Sequence, residues 1–418
     1  MKVLVVGSGG REHAIAAAVS RSKLVSRIFC APGNAGMASI AECVPLKDTD
    51  VSGLLAFAKA EGIDLTVVGP ESSLSAGIVD AFRAEGLRIF GHTAAATRIE
   101  SSKEFAKQLM LKYGVPTAAY RAFSDYEEAL AYVSGRPFPA VLKYDGLAAG
   151  KGVVIAKDIA EAREALASML LDHSFGAGRV VVEDYLEGPE FSFMCFVDGQ
   201  RVMPMPLAQD HKRALDGDEG PNTGGMGAYT GLPFISSDER DFAFREIMCR
   251  TAGAMVAEGC PLSGVLYGGL MKTADGIKVI EFNARFGDPE TEVVLPLLES
   301  DIVPVFSAFA SGEAVEPPVW SNDVSIGVVL ASRGYPGKYG KGYEIGIPEE
   351  RLRAGGVELY HMGTALRDGK FVTAGGRVIM PVCRGKSLAE ARERVYEAAR
   401  SIDCSELRFR SDIARQAL

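Results

Sequence analysis

The sequence predicts a multidomain protein of mixed α/β and α+β class: a doubly wound parallel sheet at the N-terminus, a compact α+β body, and a small β-rich C-terminal part. Three observations carry this reading. Residues 1 to about 100 alternate short apolar strands with amphipathic helices, the rhythm of a parallel sheet built from βαβ units. After about residue 100 the rhythm changes to paired strands around a glycine-rich turn. Beyond Pro317-Pro318, strands dominate. At 418 residues the chain is also too long for one ordinary core.

Taken in order, strands are predicted over 3–6, 27–31, 65–68 and 88–90, with a helix from about Glu12. Glycine-rich turns follow three of them: Gly7-Ser8-Gly9-Gly10, Pro32-Gly33-Asn34-Ala35-Gly36 and Gly69-Pro70-Glu71. Doubly wound sheets collect ligands at such carboxyl ends. The first turn reads G-x-G-G-x-x-H and not G-x-G-x-x-G, which favours phosphate or sugar binding by backbone N–H groups over a nicotinamide or flavin. Ser102-Lys103 opens a helix that runs to Tyr113 and stops before Gly114-Val115-Pro116. Antiparallel strands over 139–143 and 152–156 flank a glycine-rich loop. A helix over 158–171 leads to a strand over 179–183 that ends in Glu183-Asp184-Tyr185-Leu186. The last region carries strands near 325–331 and 377–382 and a helix over 387–400. The expected units are 1–100, 101–312 with a smaller lobe over 115–190, and 313–418.

Composition bounds the function. With 47% hydrophobic residues, 24% charged residues and 47 glycines the chain has ample core material and many tight turns. A formal charge of −9 without a basic patch argues against nucleic-acid or anionic-membrane partners. Seven cysteines are scattered with no C-x-x-C pair, so neither a disulfide framework nor a zinc site is expected, and a reducing cytoplasm fits. The apolar run over 3–6 is too short for a signal peptide, and no window approaches a membrane span.

The densest chemistry is Glu281-Phe282-Asn283-Ala284-Arg285-Phe286-Gly287-Asp288-Pro289-Glu290-Thr291-Glu292. The preceding residues read as a strand whose period of two sends Glu281 and Asn283 to one face, with Ile280 and Phe282 on the other. A carboxylate beside an amide oxygen suits Mg²⁺, which takes hard oxygen ligands and shares them with nucleotide phosphates. Arg285 lies on the same parity, placed to hold a phosphate or acyl-phosphate oxygen. A surface strand running into a polar turn is the plain alternative for Glu281 and Asn283 alone. The loop 146–152 carries Lys151 among Gly146, Gly150 and Gly152, suited to closing over a polyphosphate, although it lacks Walker A spacing. Lys103 and Lys143 add two separated cations. Asp210-His211-Lys212-Arg213, followed by Gly220-Pro221-Asn222-Thr223-Gly224-Gly225-Met226-Gly227, is the second concentration of ligand-type residues.

Together with Gly7 to His13, the 31–36 and 68–71 turns, the 145–153 loop and the Arg285-Phe286-Gly287-Asp288-Pro289-Glu290 string, these segments resemble the phosphoribosylamine-glycine ligase family. That is the glycinamide ribonucleotide synthetase family of the ATP-grasp superfamily, and the likeness runs end to end. It implies an N-terminal substrate domain, an ATP-grasp body whose two α+β lobes clamp the nucleotide, and a small C-terminal β-rich domain. It implies ATP phosphates held by Lys103, Lys143 and the loop 146–152, adenine met near Glu183, Tyr185 and Leu186, and a ribose at Glu190. Glu281 and Asn283 would carry Mg²⁺ or Mn²⁺, and Arg285, Lys151 and Asp288 would act at the reacting centre. The sugar-phosphate substrate would meet Gly9, Gly10, Arg11, Glu12, Asn34 and Glu71, with Asp210, His211, Lys212, Arg213, Thr223, Gly224, Gly225, Gly287, Pro289 and Glu290, and Arg377 as a further phosphate contact.

The implied reaction joins glycine to 5-phosphoribosylamine through glycyl phosphate, with ADP, phosphate and glycinamide ribonucleotide as products. A closing lid over 146–152 would exclude water. The expected form is a monomer with, at most, transient contacts to neighbouring purine-pathway enzymes, and the end at Leu418 suggests a single activity. Three residues depart from the family's usual pattern: Tyr144 before Asp145-Gly146, Ser73 after Gly69-Pro70-Glu71, and Glu292 where glutamine is more frequent. The region Tyr267-Gly268-Gly269-Leu270-Met271 also lacks a carboxylate that many ATP-grasp relatives place there, so the metal would lean on ATP oxygens and water. Rival readings are another ATP-grasp ligase or carboxylase, a non-catalytic nucleotide-binding regulator, and a nicotinamide oxidoreductase using the first glycine turn.

Overall fold

The computed structural model describes residues 1–146 and 152–418. Its first five strands, β1 (Lys2–Gly7), β2 (Arg27–Pro32), β3 (Glu42–Cys43), β4 (Leu65–Val68) and β5 (Ile89–Phe90), form one sheet in the order β3-β2-β1-β4-β5. All its pairings are parallel. Burial on both faces explains the unbroken apolar runs: Val3 and Val5 pack in one cluster with Ile15 and Val19, while Leu4 and Val6 pack in another with Leu54 and Phe82. The chain winds outward in both directions from β1, so the turns after β1 and β4 lie side by side. The Glu12 side chain fills the space between them. A Cβ on Gly7 or on Gly69 would overlap it, which is why both turns carry glycine there. Ser73 is buried in the turn after β4 and donates to the Asp48 carbonyl.

The smaller lobe is a four-stranded antiparallel sheet, β6 (Tyr120–Phe123), β7 (Ala140–Tyr144), β8 (Val153–Ala156) and β9 (Val180–Asp184), in the order β6-β9-β7-β8. Helices Tyr126–Ser134 and Ile159–Leu170 cover it. The Tyr144 ring is turned down into this core, stacked 5.5 Å from Phe175 and lying beneath Gly146 and Gly178.

The larger sheet starts at strand Gly276–Asn283, passes through Ser263–Thr273, Glu190–Asp198 and Ala208–Asp210, and reaches Gly227–Thr230. There it pairs with Val324–Val328 and continues through Arg377–Gly385 into the C-terminal region. The C-terminal strands therefore extend the body's own sheet. Phe286, beside Arg285, sits in an aromatic cluster with Phe90 of the first sheet and Phe196 and Phe306 of the body, with ring centroids 4.4 to 6.4 Å apart. This apolar contact holds the N-terminal sheet against the strand that bears the acidic string.

Strict alternation along that strand does not hold. Gly269 pairs with Glu281 while the next residue, Leu270, pairs with Val279, so Ile280 is the extra residue of a bulge. Val279 and Phe282 are the core residues, and Ile280 is half-buried. The bulge occurs opposite a glycine, where Gly269 leaves room for the Glu281 side chain.

The N-terminal and C-terminal regions meet at two histidines. His361 donates its backbone N–H to His13 Nδ1 at 2.9 Å, and His361 Nδ1 pairs with Thr364 Oγ1 at 2.9 Å. Burial lowers His13 to about 3, with His361 adding to the effect, and burial lowers His361 to about 4. The unfolded chain therefore takes up protons that the folded chain refuses, so this contribution to stability is full above about pH 6.5 and is lost as pH falls toward those values. Wild-type stability is expected to drop between pH 6.5 and 4.5, and His13→Gln is expected to flatten that drop by about 2–3 kcal/mol. Denaturant unfolding at the two pH values checks this; an unchanged slope in the variant would contradict it.

Candidate functional site

Arg285 leaves the end of the Gly276–Asn283 strand and finds acceptors on every side. Its Nη2 lies 3.2 Å from Glu100 Oε1 and 3.2 Å from Asn283 Oδ1, its Nε lies 3.5 Å from Glu71 Oε2, and its Nη1 donates to the Phe286 carbonyl at 3.2 Å. Arg11 reaches the same Phe286 carbonyl at 3.2 Å and approaches Glu71 at 3.9 Å. Two arginines and two carboxylates thus join the turns after β1 and β4 to the strand carrying Glu281 and Asn283. Burial pushes the Glu71 carboxyl up, but Arg285 and Arg11 outweigh it and hold the group below its ordinary range. Glu100 is more deeply enclosed; burial dominates there and raises it despite Arg285.

Around Glu281 the field is positive. Burial raises its carboxyl, yet Lys212, Lys143, Lys103 and Arg285 together bring it below the ordinary value, so it is ionised at neutral pH. Lys103, at the start of a helix packed in the larger body, donates to the Gly146 carbonyl of the smaller lobe at 3.1 Å, and Lys143 of the smaller lobe donates to the Ile280 carbonyl of the larger sheet at 2.9 Å, so the two cations cross between the lobes in opposite directions. Lys212 pairs with Glu190. Burial lifts the neighbouring Asp210 carboxyl to about 8, against the pull of Lys212. Among the described residues no group of three or more His, Cys, Asp or Glu side chains is assembled to hold a metal, and Glu281 makes no ion pair or hydrogen bond there. A carboxylate left free beside an amide oxygen fits a Mg²⁺ ion that draws its remaining ligands from phosphates and water.

A second arginine gathers the other predicted segments. Arg377 Nη1 lies 2.7 Å from Asp288 Oδ1 and donates to the Gly224 carbonyl at 2.6 Å. Gly225 packs on Pro289, where a Cβ would overlap the ring, and Asp288 Oδ2 faces the Gly9 turn. Thr223 Oγ1 closes the loop by donating to the Lys212 carbonyl at 2.8 Å and accepting from the Gly225 N–H at 3.0 Å.

Several predicted residues have structural partners of their own. Glu12 accepts from the Gly9 N–H at 2.7 Å and pairs with Arg11 at 2.5 Å, so it braces the first turn from behind. The Asn34 amide donates to the Ser8 and His361 carbonyls at 2.8 and 2.7 Å, which ties the second turn to the C-terminal region. Glu290 is buried and accepts from Ser192 Oγ and Tyr267 OH, both at 2.8 Å. His211 is enclosed against Tyr229 and pairs with Gln416, and burial lowers its basicity. Lys212 and Arg213 do not form one cationic pair: neighbours in extended chain point apart, and Arg213 turns outward to the Gly220 carbonyl at 2.8 Å. Glu183 spends its carboxylate on Lys107 and Lys143, so an adenine contact at this residue falls to its backbone. Tyr185 is exposed and Leu186 half-buried in the connector between lobes. Gly150 and Lys151 lie outside the described residues; Gly146 and Gly152 border the loop.

Sequence reasoning missed Glu100, Lys107, Ser192 and Tyr267. Glu100 carried a readable signal, since an acid in the last turn of helix Ala94–Ser101 opposes the helix dipole and needs a cation elsewhere. Lys107 shares the inner face of its helix with Ala106 and Met110. Tyr267 pairs with Asn283 across the strands, with Arg285 6.0 Å from its ring centroid. Glu292 is fully buried behind Gly10 and Met362, and burial, then Asp288, raises its carboxyl well above the ordinary value.

The phosphoribosylglycinamide synthetase family matches the chain in three parts: its N domain over residues 1–100, its ATP-grasp (A) domain over 101–291 and its C domain over 325–416. The chain belongs to the phosphoribosylamine–glycine ligase family of ATP-grasp enzymes. The family's member from Halalkalibacterium halodurans is 50% identical over 421 residues, spanning 100% of this chain and 97% of the relative, and that from Listeria innocua is 48% identical over 422 residues, spanning all of both. The crystal structure of phosphoribosylamine–glycine ligase from Thermotoga maritima superimposes with a TM-score of 0.87 at 34% identity, covering 99% of this chain and 100% of that one. The biotin carboxylase domain of Hydrogenobacter thermophilus 2-oxoglutarate carboxylase, at 16% identity and a TM-score of 0.74, covers 98% of this chain and 91% of that one and shares the fold.

Removing the Arg285 charge is expected to cost about 3–5 kcal/mol of stability, because Glu71 and Glu100 would be left without their main counter-charge. Urea unfolding of Arg285→Met checks this, and adding Glu100→Gln is expected to recover part of the loss. An Arg285→Met variant as stable as the wild type would contradict the assigned pairing.

Proposed function

We propose that the chamber around Glu281 and Arg285 joins glycine to 5-phosphoribosylamine at the expense of ATP, giving glycinamide ribonucleotide, ADP and phosphate in de novo purine synthesis. The observation that carries this reading is the ring of Lys103, Lys143, Lys212 and Arg285 around an ionised Glu281, at the meeting of both lobes with the N-terminal turns. Full-length identity to phosphoribosylamine–glycine ligases supports the substrate pair.

A glycine carboxylate is a poor electrophile, and bringing it to a γ-phosphate concentrates negative charge. Lys103 and Lys143 attract the polyphosphate, and Arg285 offsets the charge that builds as carboxylate oxygen bonds to phosphorus. Glu281 and Asn283 would hold Mg²⁺, or Mn²⁺ in its place, which when bound neutralises β- and γ-phosphate oxygens. A MgADP complex of the Hydrogenobacter thermophilus biotin carboxylase domain, which has this fold, supports Mg²⁺. Loss of ADP leaves glycyl phosphate; the amine of phosphoribosylamine then attacks the carbonyl carbon and phosphate departs.

The sugar-phosphate lies against Gly9, Gly10, Arg11, Glu71 and the Gly224–Asp288–Arg377 cluster, where the Arg11 and Arg377 guanidinium groups suit an anion. Lys212, paired with Glu190 and acting on Glu281, belongs on the nucleotide side. The loop 146–152 with Lys151 is the lid of this reading. A monomer in the cytoplasm is the form this reading takes, in keeping with seven scattered cysteines that include no C-x-x-C pair.

ADP release from Mg-ATP should require glycine, and with freshly generated phosphoribosylamine one ADP should form per glycinamide ribonucleotide identified by mass. Glu281→Ala should lower turnover at least ~100-fold, the scale lost when transition-state charge goes unstabilised, and raise the Mg²⁺ requirement. No ADP with either substrate, or wild-type turnover in the variant, would contradict the reading.

A further inference from the structure

The helix Lys103–Tyr113 buries a lysine that the reaction above does not use. Lys107 is 2% exposed, and its Nζ lies 2.7 Å from Glu183 Oε2 and 2.7 Å from Thr117 Oγ1. Glu183, itself 5% exposed, has its other oxygen 3.0 Å from Lys143 Nζ in an ion pair that lacks hydrogen-bond alignment. Two enclosed ammonium groups therefore share one carboxylate. Buried lysines are rare unless paired, and this trio has pairing for only one of them. The arrangement is anchored to the larger lobe, since Thr117 Oγ1 donates to the Val279 carbonyl at 2.8 Å and Lys143 to the Ile280 carbonyl at 2.9 Å.

The two lysines are not equivalent. Lys107 has a hydroxyl and a close carboxylate oxygen, with the Tyr120 ring 5.9 Å away. Lys143 holds the carboxylate more loosely and reaches the strand of Glu281. We infer that Lys107 is a positioning residue for nucleotide binding: it keeps Glu183 paired, so that Lys143 is free to exchange its carboxylate for an ATP phosphate oxygen. With Lys107 in place, that exchange leaves every buried charge partnered. Without it, Lys143 must either stay with Glu183 or leave a bare carboxylate facing the polyphosphate, and both weaken binding. Burial lowers Lys107 to about 8 against the opposing pull of Glu183, so the group is mostly protonated at neutral pH.

This inference rests on the reading that Mg-ATP binds between the lobes. Calorimetric titration of the full chain with the Mg²⁺ complex of the β,γ-imido analogue of ATP tests it. Lys107→Met and Lys107→Gln, the latter keeping a donor to Thr117, are each expected to raise Kd at least tenfold, while the apparent KM for glycine changes less than twofold. Adding Glu183→Gln to Lys107→Met is expected to bring Kd back to within threefold of Glu183→Gln alone, which loss of packing would not allow. Lys107 variants that bind within twofold of the wild type would overturn the inference alone, as would a double variant no better than Lys107→Met. Failure of the wild type to bind would overturn the nucleotide reading and this inference with it.

Discussion

Everything at the candidate site depends on keeping the Arg285 guanidinium charged in a largely enclosed place. A cation there requires carboxylates, and the structure draws them from two N-terminal segments: Glu71 in the turn after β4, and Glu100 at the end of the helix that leads into the body. The pairing fixes the N-terminal turns against the Gly276–Asn283 strand, and the aromatic cluster around Phe286 supplies the apolar area beneath it. One residue position thereby sets the relation between the place where a sugar-phosphate would lie and the place where a nucleotide and its metal would lie. The Arg377 cluster repeats the arrangement on the C-terminal side, with Asp288 and Gly224 in place of Glu71 and Glu100.

The surplus of cations around Glu281 follows from the same demand. Lys103, Lys143 and Lys212 come from separate segments; among the described residues Lys103 finds a carbonyl, Lys143 a carbonyl and a carboxylate shared with Lys107, and Lys212 the Glu190 carboxylate. Such groups are stable enough to remain in place and under-neutralised enough to attract a polyphosphate. The cost appears elsewhere, in carboxyls raised by enclosure at Glu100, Asp210 and Glu292.

Much of the fold was readable because local signals agreed with the tertiary outcome. The strand at 65–68, the helix that opens at Lys103 and the antiparallel pair around the glycine-rich loop coincide closely with the structure. The two-residue strand Glu42–Cys43 has no pattern of its own, being held by parallel pairing with β2. The bulge at Ile280 was hidden because it depends on which residue lies opposite, and Gly269 comes from another strand. Residue types point to a candidate site where chemistry sits in dense strings, as at 281–292. They are harder to interpret where a side chain is spent on its neighbours: Glu12, Asn34 and Glu290 look like ligands in sequence, but their partners lie 1 to 327 residues away and become visible only once the chain is folded. Glu100 and Lys107 were overlooked for the converse reason, since single charges within ordinary helices carry little signal until their burial is known.

In the proposed reaction this chamber brings a glycine carboxylate to a γ-phosphate and passes the activated acyl group to an amine. Turnover with glycine labelled by ¹⁸O at both carboxylate oxygens, followed by mass analysis of the released phosphate, tests it most directly. Formation of glycyl phosphate predicts one ¹⁸O in each phosphate and one in the amide product. Phosphate free of label would contradict the account.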